Sequence, residues 1–164
     1  MEVRAEMATT GDFTSAQLLA DEARTLLPTI TDATAKAIGE LASELALKRN
    51  FPITISIEIK GIEVFRSALP GASSEHDSWI TRKARVVNLT GHSTMYERVK
   101  AEEDGIDWHN NHGVEDATHA IHGGGFPLVT RDNGFEGVLL ISGLPQVDDH
   151  NFAVEVLSSF LSAR

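Results

Sequence analysis

Four histidines between positions 109 and 122 are the residues of this sequence best suited to metal or tetrapyrrole chemistry. They form two His-x-x-His pairs, His109 with His112 and His119 with His122. This spacing can place two imidazoles on one metal, and imidazole is a common ligand of zinc, iron and haem. The first three histidines lie in the polar stretch "DGIDWHNNHGVEDATH", where we expect solvated side chains that neither folding nor binding needs. His122 differs, because three glycines follow it directly.

The segment "HGGGFPLV" needs an explanation, because consecutive glycines lose much conformational entropy when they become ordered. In one interpretation Gly123, Gly124 and Gly125 form the wall of a ligand site, where His122 contacts a metal or a polar edge and Phe126 stacks on an apolar face. In the other, the three glycines allow close packing between subunits and no ligand is bound. The residue types alone leave both interpretations open.

A second cluster of candidate residues lies in "SWITRKARVV". On a helix, Trp79, Arg82 and Lys83 share one face through three- and four-residue spacings. The two cations are suited to binding a carboxylate, which arginine can hold with two parallel hydrogen bonds. The alternative is an ordinary surface helix that the tryptophan anchors to the core.

Composition excludes several other classes of protein. The formal net charge of −10 disfavours nucleic-acid binding, and no run approaches the roughly 20 apolar residues of a membrane span. The absence of cysteine rules out disulfides and thiolate metal sites, and it agrees with a reducing compartment. We therefore expect a cytoplasmic protein without nucleic-acid or membrane partners. Motifs of the P-loop, dinucleotide-binding, serine-hydrolase and zinc-protease types are also missing from the sequence.

Hydrophobic periodicity predicts an α+β fold in a single domain spanning residues 1–164, with residues 1–13 as a flexible N-terminus. Helical spacing and capping residues predict helices over 14–27, 31–50, 77–89, 94–103 and from 148 or 149 onward. Alternating or unbroken apolar runs predict strands over 53–59, 62–69, 126–130 and 135–142. Turn residues at Lys60-Gly61 and in "RDNG" join these strands into two hairpins, so the sheet should be antiparallel.

Three segments in combination resemble a known family. "DSWITRKARVV", "HGGGFPL" and "GVLLISGLPQVDDHNFAVEVL" are similar to motifs of the haem-degrading and haem-binding proteins, a family that includes glycolate-operon accessory proteins. The resemblance runs from about Ile53 to Leu157 and is strongest toward a branch of small, uncharacterised cytoplasmic proteins.

The resemblance implies a profilin-like fold, in which an antiparallel sheet of about five strands lies between helices in three layers. It also implies a homo-oligomer larger than a dimer that binds haem, iron or another small anionic ligand, with haem degradation as an open question. Pro127 and the candidate residues of the two clusters stand on the family's motif positions. Those candidates are Trp79, Arg82, Lys83, His122, Gly123, Gly124, Gly125 and Phe126, with His122 as the metal ligand.

Overall fold

Two hairpins build the sheet at the centre of the fold. In the computed structural model, which describes residues 10–163, the strands are β1 (Thr54–Ile59), β2 (Ile62–Ala68), β3 (Gly125–Thr130) and β4 (Gly134–Ser142). They form one antiparallel sheet in the order β2-β1-β4-β3. The central pairing joins β1 to β4, with Ser56 opposite Leu140. Residues 1–9, most of the segment for which we predict flexibility, lie outside the described range.

The expected count of about five strands is wrong, because the sheet has four. The outer side of β3 is occupied by a single-residue bridge instead of a strand. There the Leu27 N–H donates to the Val129 carbonyl at 2.8 Å, and the Leu27 carbonyl accepts from the Arg131 N–H at 3.2 Å. This bridge satisfies two of the backbone groups that a further strand would have paired, the Val129 carbonyl and the Arg131 N–H.

Six helices accompany the sheet in the described part of the chain. They are α1 (Ser15–Ala23), α2 (Asp32–Lys48), α3 (Glu75–Thr90), α4 (Thr94–Asp104), α5 (Trp108–His112) and α6 (Gln146–Ser162). None of the described helices is both long and apolar enough to cross a bilayer. The first helix ends four residues before its predicted end at Leu27, because Leu27 turns away to bridge β3.

Helices cover both faces of the sheet, as the predicted three layers require. Helices α2 and α6 bury one face in the largest apolar cluster, which includes Ile38, Ile55, Leu139 and Phe152. Helix α3 covers the opposite face, where Ile80 and other apolar side chains pack on β4. The start of α3, the segment before β3 and the start of α6 thereby meet at the end of the sheet where β4 ends.

Helix starts follow the capping residues in part. Thr14, Thr31 and Ser93 each accept a hydrogen bond from a backbone N–H in the first turn, as their residue types predict. Helix α3, however, begins two residues before the predicted cap Asp77, whose carboxylate binds Arg66 at 2.7 Å. Helix α6 begins at Gln146 rather than at Asp148 or Asp149, so the carboxylate of Asp149 is available for another role.

Candidate functional site

A cleft of about 340 Å³ lies where the N-terminal ends of α3 and α6 meet the end of β4. This volume is at the lower end of the range for small-molecule sites. Helix α3 contributes Glu75, His76, Trp79 and Lys83 to its lining, α6 contributes Gln146 and Asp149, and the chain before β3 contributes His122. The cleft thus combines an aromatic ring, an imidazole and an ion pair within a small space.

His122 packs against Trp79 in the wall of the cleft. The two ring centroids are 4.5 Å apart and the ring planes are tilted by 59°. Burial, together with the positive charges of Arg98 and Lys83, lowers the pKa of His122 to about 4. The imidazole is therefore neutral at pH 7, the form in which a histidine binds a metal without first losing a proton.

A buried ion pair joins α3 to α6 beside the imidazole. Lys83 is only 2% exposed, and its Nζ donates to the Ile141 carbonyl at 2.9 Å and to Asp149 Oδ2 at 3.3 Å. The Asp149 carboxylate also accepts the backbone N–H groups of Gly143 and Leu144. Two charged side chains therefore hold together α3, α6, the end of β4 and the loop that follows β4.

Burial shifts the pKa values of the two groups of this pair in opposite directions. It lowers the pKa of Lys83, although the neighbouring Asp149 charge opposes the shift. It raises the pKa of Asp149 to about 6, although Lys83 and the backbone N–H groups stabilise the carboxylate. Both shifts have the same cause, because a low-dielectric environment disfavours each charged form. A proton can consequently move between the two groups at lower cost than between exposed side chains.

The three glycines lie behind this wall and are crowded by the protein's own chain. A Cβ on Gly123 would collide with the Gln146 carbonyl oxygen, and one on Gly124 would collide with the Ile141 carbonyl oxygen. Gly124 also has a φ of +127°, which side chains rarely adopt. A Cβ on Gly125 would lie 2.9 Å from methyl groups of neighbouring helices. Packing within the chain thus accounts for all three glycines, without a ligand or a second subunit against their backbone.

The structure brings some of the predicted site residues together and separates others. Trp79, Lys83 and His122 line the cleft, but Arg82 and Phe126 do not. Arg82 stacks on Trp79 at 4.4 Å, and its Nε and Nη2 donate to the carbonyl and the carboxylate of Asp116, so two of its three guanidinium nitrogens are engaged within the chain. Phe126 is fully buried in the main core. Neither side chain occupies the ligand-facing position that the sequence suggests.

The other three histidines of the two His-x-x-His pairs, His109, His112 and His119, make local contacts. His109 Nε2 lies 2.7 Å from the His119 carbonyl oxygen, and His112 Nδ1 lies 2.9 Å from the Trp108 carbonyl oxygen. His112 also stacks on the Trp108 ring, with centroids 4.2 Å apart. No group of three or more His, Asp or Glu side chains in residues 10–163 is arranged to hold a metal ion.

Asp149 and Gln146 are cleft residues that sequence reasoning missed, as are Glu75 and His76 on α3. The Gln146 side-chain oxygen accepts the Gly123 N–H at 3.0 Å, which fixes the backbone next to His122. A signal for Asp149 was present, because Phe152, Ala153 and Val156 follow it at spacings of three, four and seven residues. That pattern places the carboxylate on the apolar face of the helix, whereas a helix cap is the commoner role for an aspartate near a helix start.

Comparison with known proteins gives consistent results. Residues 30–158 match the model of the family described as haem degrading protein HbpS-like. A UPF0303 protein from Streptomyces avermitilis is 37% identical over 146 residues, covering 89% of this chain and 90% of the relative. A UPF0303 protein from Rhizobium johnstonii is 38% identical over 129 residues, or 79% of each chain.

Solved structures extend the similarity to the fold. The crystal structure of Ybr137w protein superposes with a TM-score of 0.83 at 30% identity, covering 98% of this chain and 95% of that one. A PduOC:heme complex superposes with a TM-score of 0.67 at 20% identity, covering 80% and 94%. At that identity the second match supports the fold alone. The four-stranded antiparallel sheet with helices on both faces defines an α+β protein with the fold of these solved structures. The chain belongs to the HbpS-like family of haem degrading proteins.

Proposed function

We propose that this protein binds a tetrapyrrole such as haem at the cleft, where His122 would ligate the iron. One observation carries the proposal: the neutral imidazole of His122, supported by Trp79, lines a cleft of a size that suits a small-molecule ligand. Haem needs a single protein ligand of this kind, and neutral imidazole provides it. A bare iron ion is a poorer candidate, because the described residues contain no cluster of three ligating side chains.

The size and charge of the cleft define how such a ligand would fit. A cleft of about 340 Å³ would hold one edge of a macrocycle, and the remainder would lie outside the cleft. Trp79 offers an apolar surface to that edge, whereas Arg82 and Lys83 are already paired with Asp116 and Asp149. Propionate groups or another anion would therefore have to displace Asp116 from Arg82. Haem is the ligand of PduOC in its crystallised complex, and the fold of PduOC is similar to that of this chain.

Assembly and location belong to the same proposal. We expect a cytoplasmic homo-oligomer larger than a dimer. Several large apolar side chains are exposed in the monomer, including Leu47, Ile62 and Leu89 at 57%, 69% and 53%, and association would remove them from water. Light scattering behind a size-exclusion column at micromolar concentration measures the mass, and a monomer mass would contradict this part of the proposal.

Titration of the purified protein with hemin tests the binding. We expect a shifted Soret band that saturates at one hemin per chain. Trp79→Ala should weaken binding by roughly tenfold, because it removes the aromatic surface behind the imidazole. Trp108→Phe is the matched control, since Trp108 is buried outside the cleft and is part of the other histidine-rich segment. Unsaturable binding, or equal loss in both variants, would contradict the proposal.

A further inference from the structure

Lys83 has a second property that tetrapyrrole binding does not use. Of the five lysines in the sequence, it alone is buried, whereas Lys36, Lys48, Lys60 and Lys100 are exposed. It nevertheless contributes to the lining of the cleft, with its Nζ 6.0 Å from the centre of the Trp79 ring. A small molecule in the cleft would therefore meet a lysine amine that is shielded from bulk water.

The position of the amine suits it to act as a nucleophile once its proton has passed to Asp149, whose Oδ2 lies 3.3 Å from Nζ. Two acceptors surround Nζ, the Ile141 carbonyl and the Asp149 carboxylate. A neutral amine has two N–H bonds, which these acceptors can take, and one lone pair that remains for an electrophile. Burial of lysine favours that neutral form, and a desolvated lysine is a recognised nucleophile toward carbonyl compounds. Asp149 lies within proton-transfer distance of the same nitrogen.

We propose that the cleft binds a small aldehyde or ketone covalently, through a reversible imine between Lys83 Nζ and the carbonyl carbon of the ligand. This inference goes beyond the proposed tetrapyrrole binding and does not depend on it. It assigns the buried ion pair a chemical role in addition to its structural one.

Imine formation needs no group other than Lys83, Asp149 and the carbonyl compound. The lone pair of Nζ forms the new C–N bond, the carbonyl π electrons move to oxygen, and a proton passes from nitrogen by way of Asp149 to that oxygen. The resulting hydroxyl leaves as water after a second proton transfer, while the remaining nitrogen electrons form the C=N bond. One water is released and no atom changes its net oxidation level. A carboxyl pKa raised to about 6 is suited to such transfers near neutral pH.

Reductive trapping tests this assignment on the wild-type protein. The protein is incubated at pH 7 with propanal and sodium cyanoborohydride, which reduces an imine to a stable propylamine, and is then digested for peptide mass analysis. Propanal is uncharged, so its reaction reports the amine rather than electrostatic attraction. We expect propylation of Lys83 to exceed that of the exposed Lys36, because burial lowers the pKa of Lys83 and so raises the fraction of its amine that is neutral. Equal or weaker labelling of Lys83 would overturn the proposal.

The pH dependence of labelling provides a second readout that a merely structural lysine would not give. Labelling of Lys83 should level off at a lower pH than labelling of the exposed lysines, because burial lowers the pKa of Lys83. Asp149→Asn should slow labelling of Lys83 and leave that of Lys36 unchanged, provided that circular dichroism shows a folded chain. Parallel pH profiles for the two lysines would overturn the proposal. Hemin titration of the same preparation scores tetrapyrrole binding separately, so the failure of either proposal can be recognised.

Discussion

Two histidine-containing regions of this protein have similar sequences but different environments. At the cleft, His122 lies between α3 and α6, beside an ion pair whose members are 2% and 3% exposed. In the segment from α5 to His119, His109 and His112 contact backbone carbonyls of the same segment. The cleft is built from residues distant in sequence, whereas the second region is built from neighbours. Spacing of histidines alone therefore does not identify a binding site.

The difference also concerns where charge is buried. Lys83 and Asp149 are removed from water and stabilise each other, so the loss of either partner leaves an uncompensated charge. The pair formed by Arg82 and Asp116 is more exposed on the acidic side, where the aspartate side chain is 62% exposed. Substitutions at the cleft should consequently affect the whole fold, and substitutions in the histidine segment should remain local.

The largest expected effect comes from Gly124→Val. The new Cβ would collide with the Ile141 carbonyl and approach Lys83 Nζ, so we expect a loss of about 5 kcal/mol in the free energy of unfolding, or no soluble protein. Gly134→Val is the matched control, because Gly134 also has a positive φ but has open space around it. It should cost only about 2 kcal/mol. Equal losses in urea denaturation would show that crowding behind the cleft is unimportant.

Breaking the buried ion pair should have the next largest effect. Lys83→Met leaves the Asp149 carboxylate buried without its cation and should cost about 3–5 kcal/mol at pH 7. The double variant Lys83→Met with Asp149→Leu should recover much of that loss, because no charge then remains buried. Denaturant unfolding of the two single variants and the double variant measures the coupling. Additive losses would mean that the two side chains do not act as a pair.

The pH dependence of stability should distinguish His122 from the other histidines. The folded-state pKa of His122, about 4, lies below its ordinary value near 6.5, so the unfolded state binds the proton more tightly. Stability from this group is therefore complete above pH 6.5 and is lost as the pH falls toward 4. We expect His122→Asn to reduce the wild-type loss over this interval by about 2 kcal/mol, allowing for partial solvent screening. If the free energy of unfolding changes with pH in the same way in both proteins, the assigned burial of His122 is wrong.

The opposite sign applies to Asp149 over nearly the same interval. Its folded-state pKa is raised from 3.8 to about 6, so its ionised form costs stability as the pH rises from 4 to 6. In the wild-type protein, the effects of His122 and Asp149 on the pH dependence of stability thus partly cancel. In His122→Asn, the free energy of unfolding should therefore rise less steeply between pH 4 and 6 than in the wild type, or should fall. The same unfolding series measures this change.

The smallest effect is expected for the triple variant His109→Ala, His112→Ala and His119→Ala. The side chains of His109 and His112 contact backbone carbonyls, and that of His119 contacts the Thr118 hydroxyl. Such local hydrogen bonds are worth about 0.5–1.5 kcal/mol each, and the melting temperature should fall by only a few degrees. Calorimetry of this variant beside the wild type measures the shift. A fall as large as that of Lys83→Met would remove the distinction between the two regions.

Most of the fold followed from patterns that extend along the chain. Alternation in β1, the Asn-Gly turn before β4 and the caps at Thr31 and Ser93 all rest on local physical chemistry, so the sequence contains their causes. Boundaries were less predictable where distant residues decide them. Helix α1 ends early because Leu27 bonds to β3, a contact that no local pattern reveals.

The candidate site was predicted only in part for the same reason. The spacing of Trp79, Arg82 and Lys83 correctly placed them on one helical face, but it could not specify which of them the cleft would include. The partner of Lys83 lies 66 residues away, at Asp149. Likewise, the crowding that requires Gly124 arises from the carbonyl of Ile141 on another element. Long-range contacts of this kind determine which chemistry-bearing side chains meet.

Hemin titration of three proteins tests the central claim most directly: wild type, His122→Ala and the triple variant of His109, His112 and His119. If His122 in the cleft is the iron ligand, the wild type and the triple variant will give the same saturable, shifted Soret band at one hemin per chain. His122→Ala will lose that band while remaining folded by circular dichroism. Loss of the band in the triple variant together with its retention in His122→Ala would contradict the account.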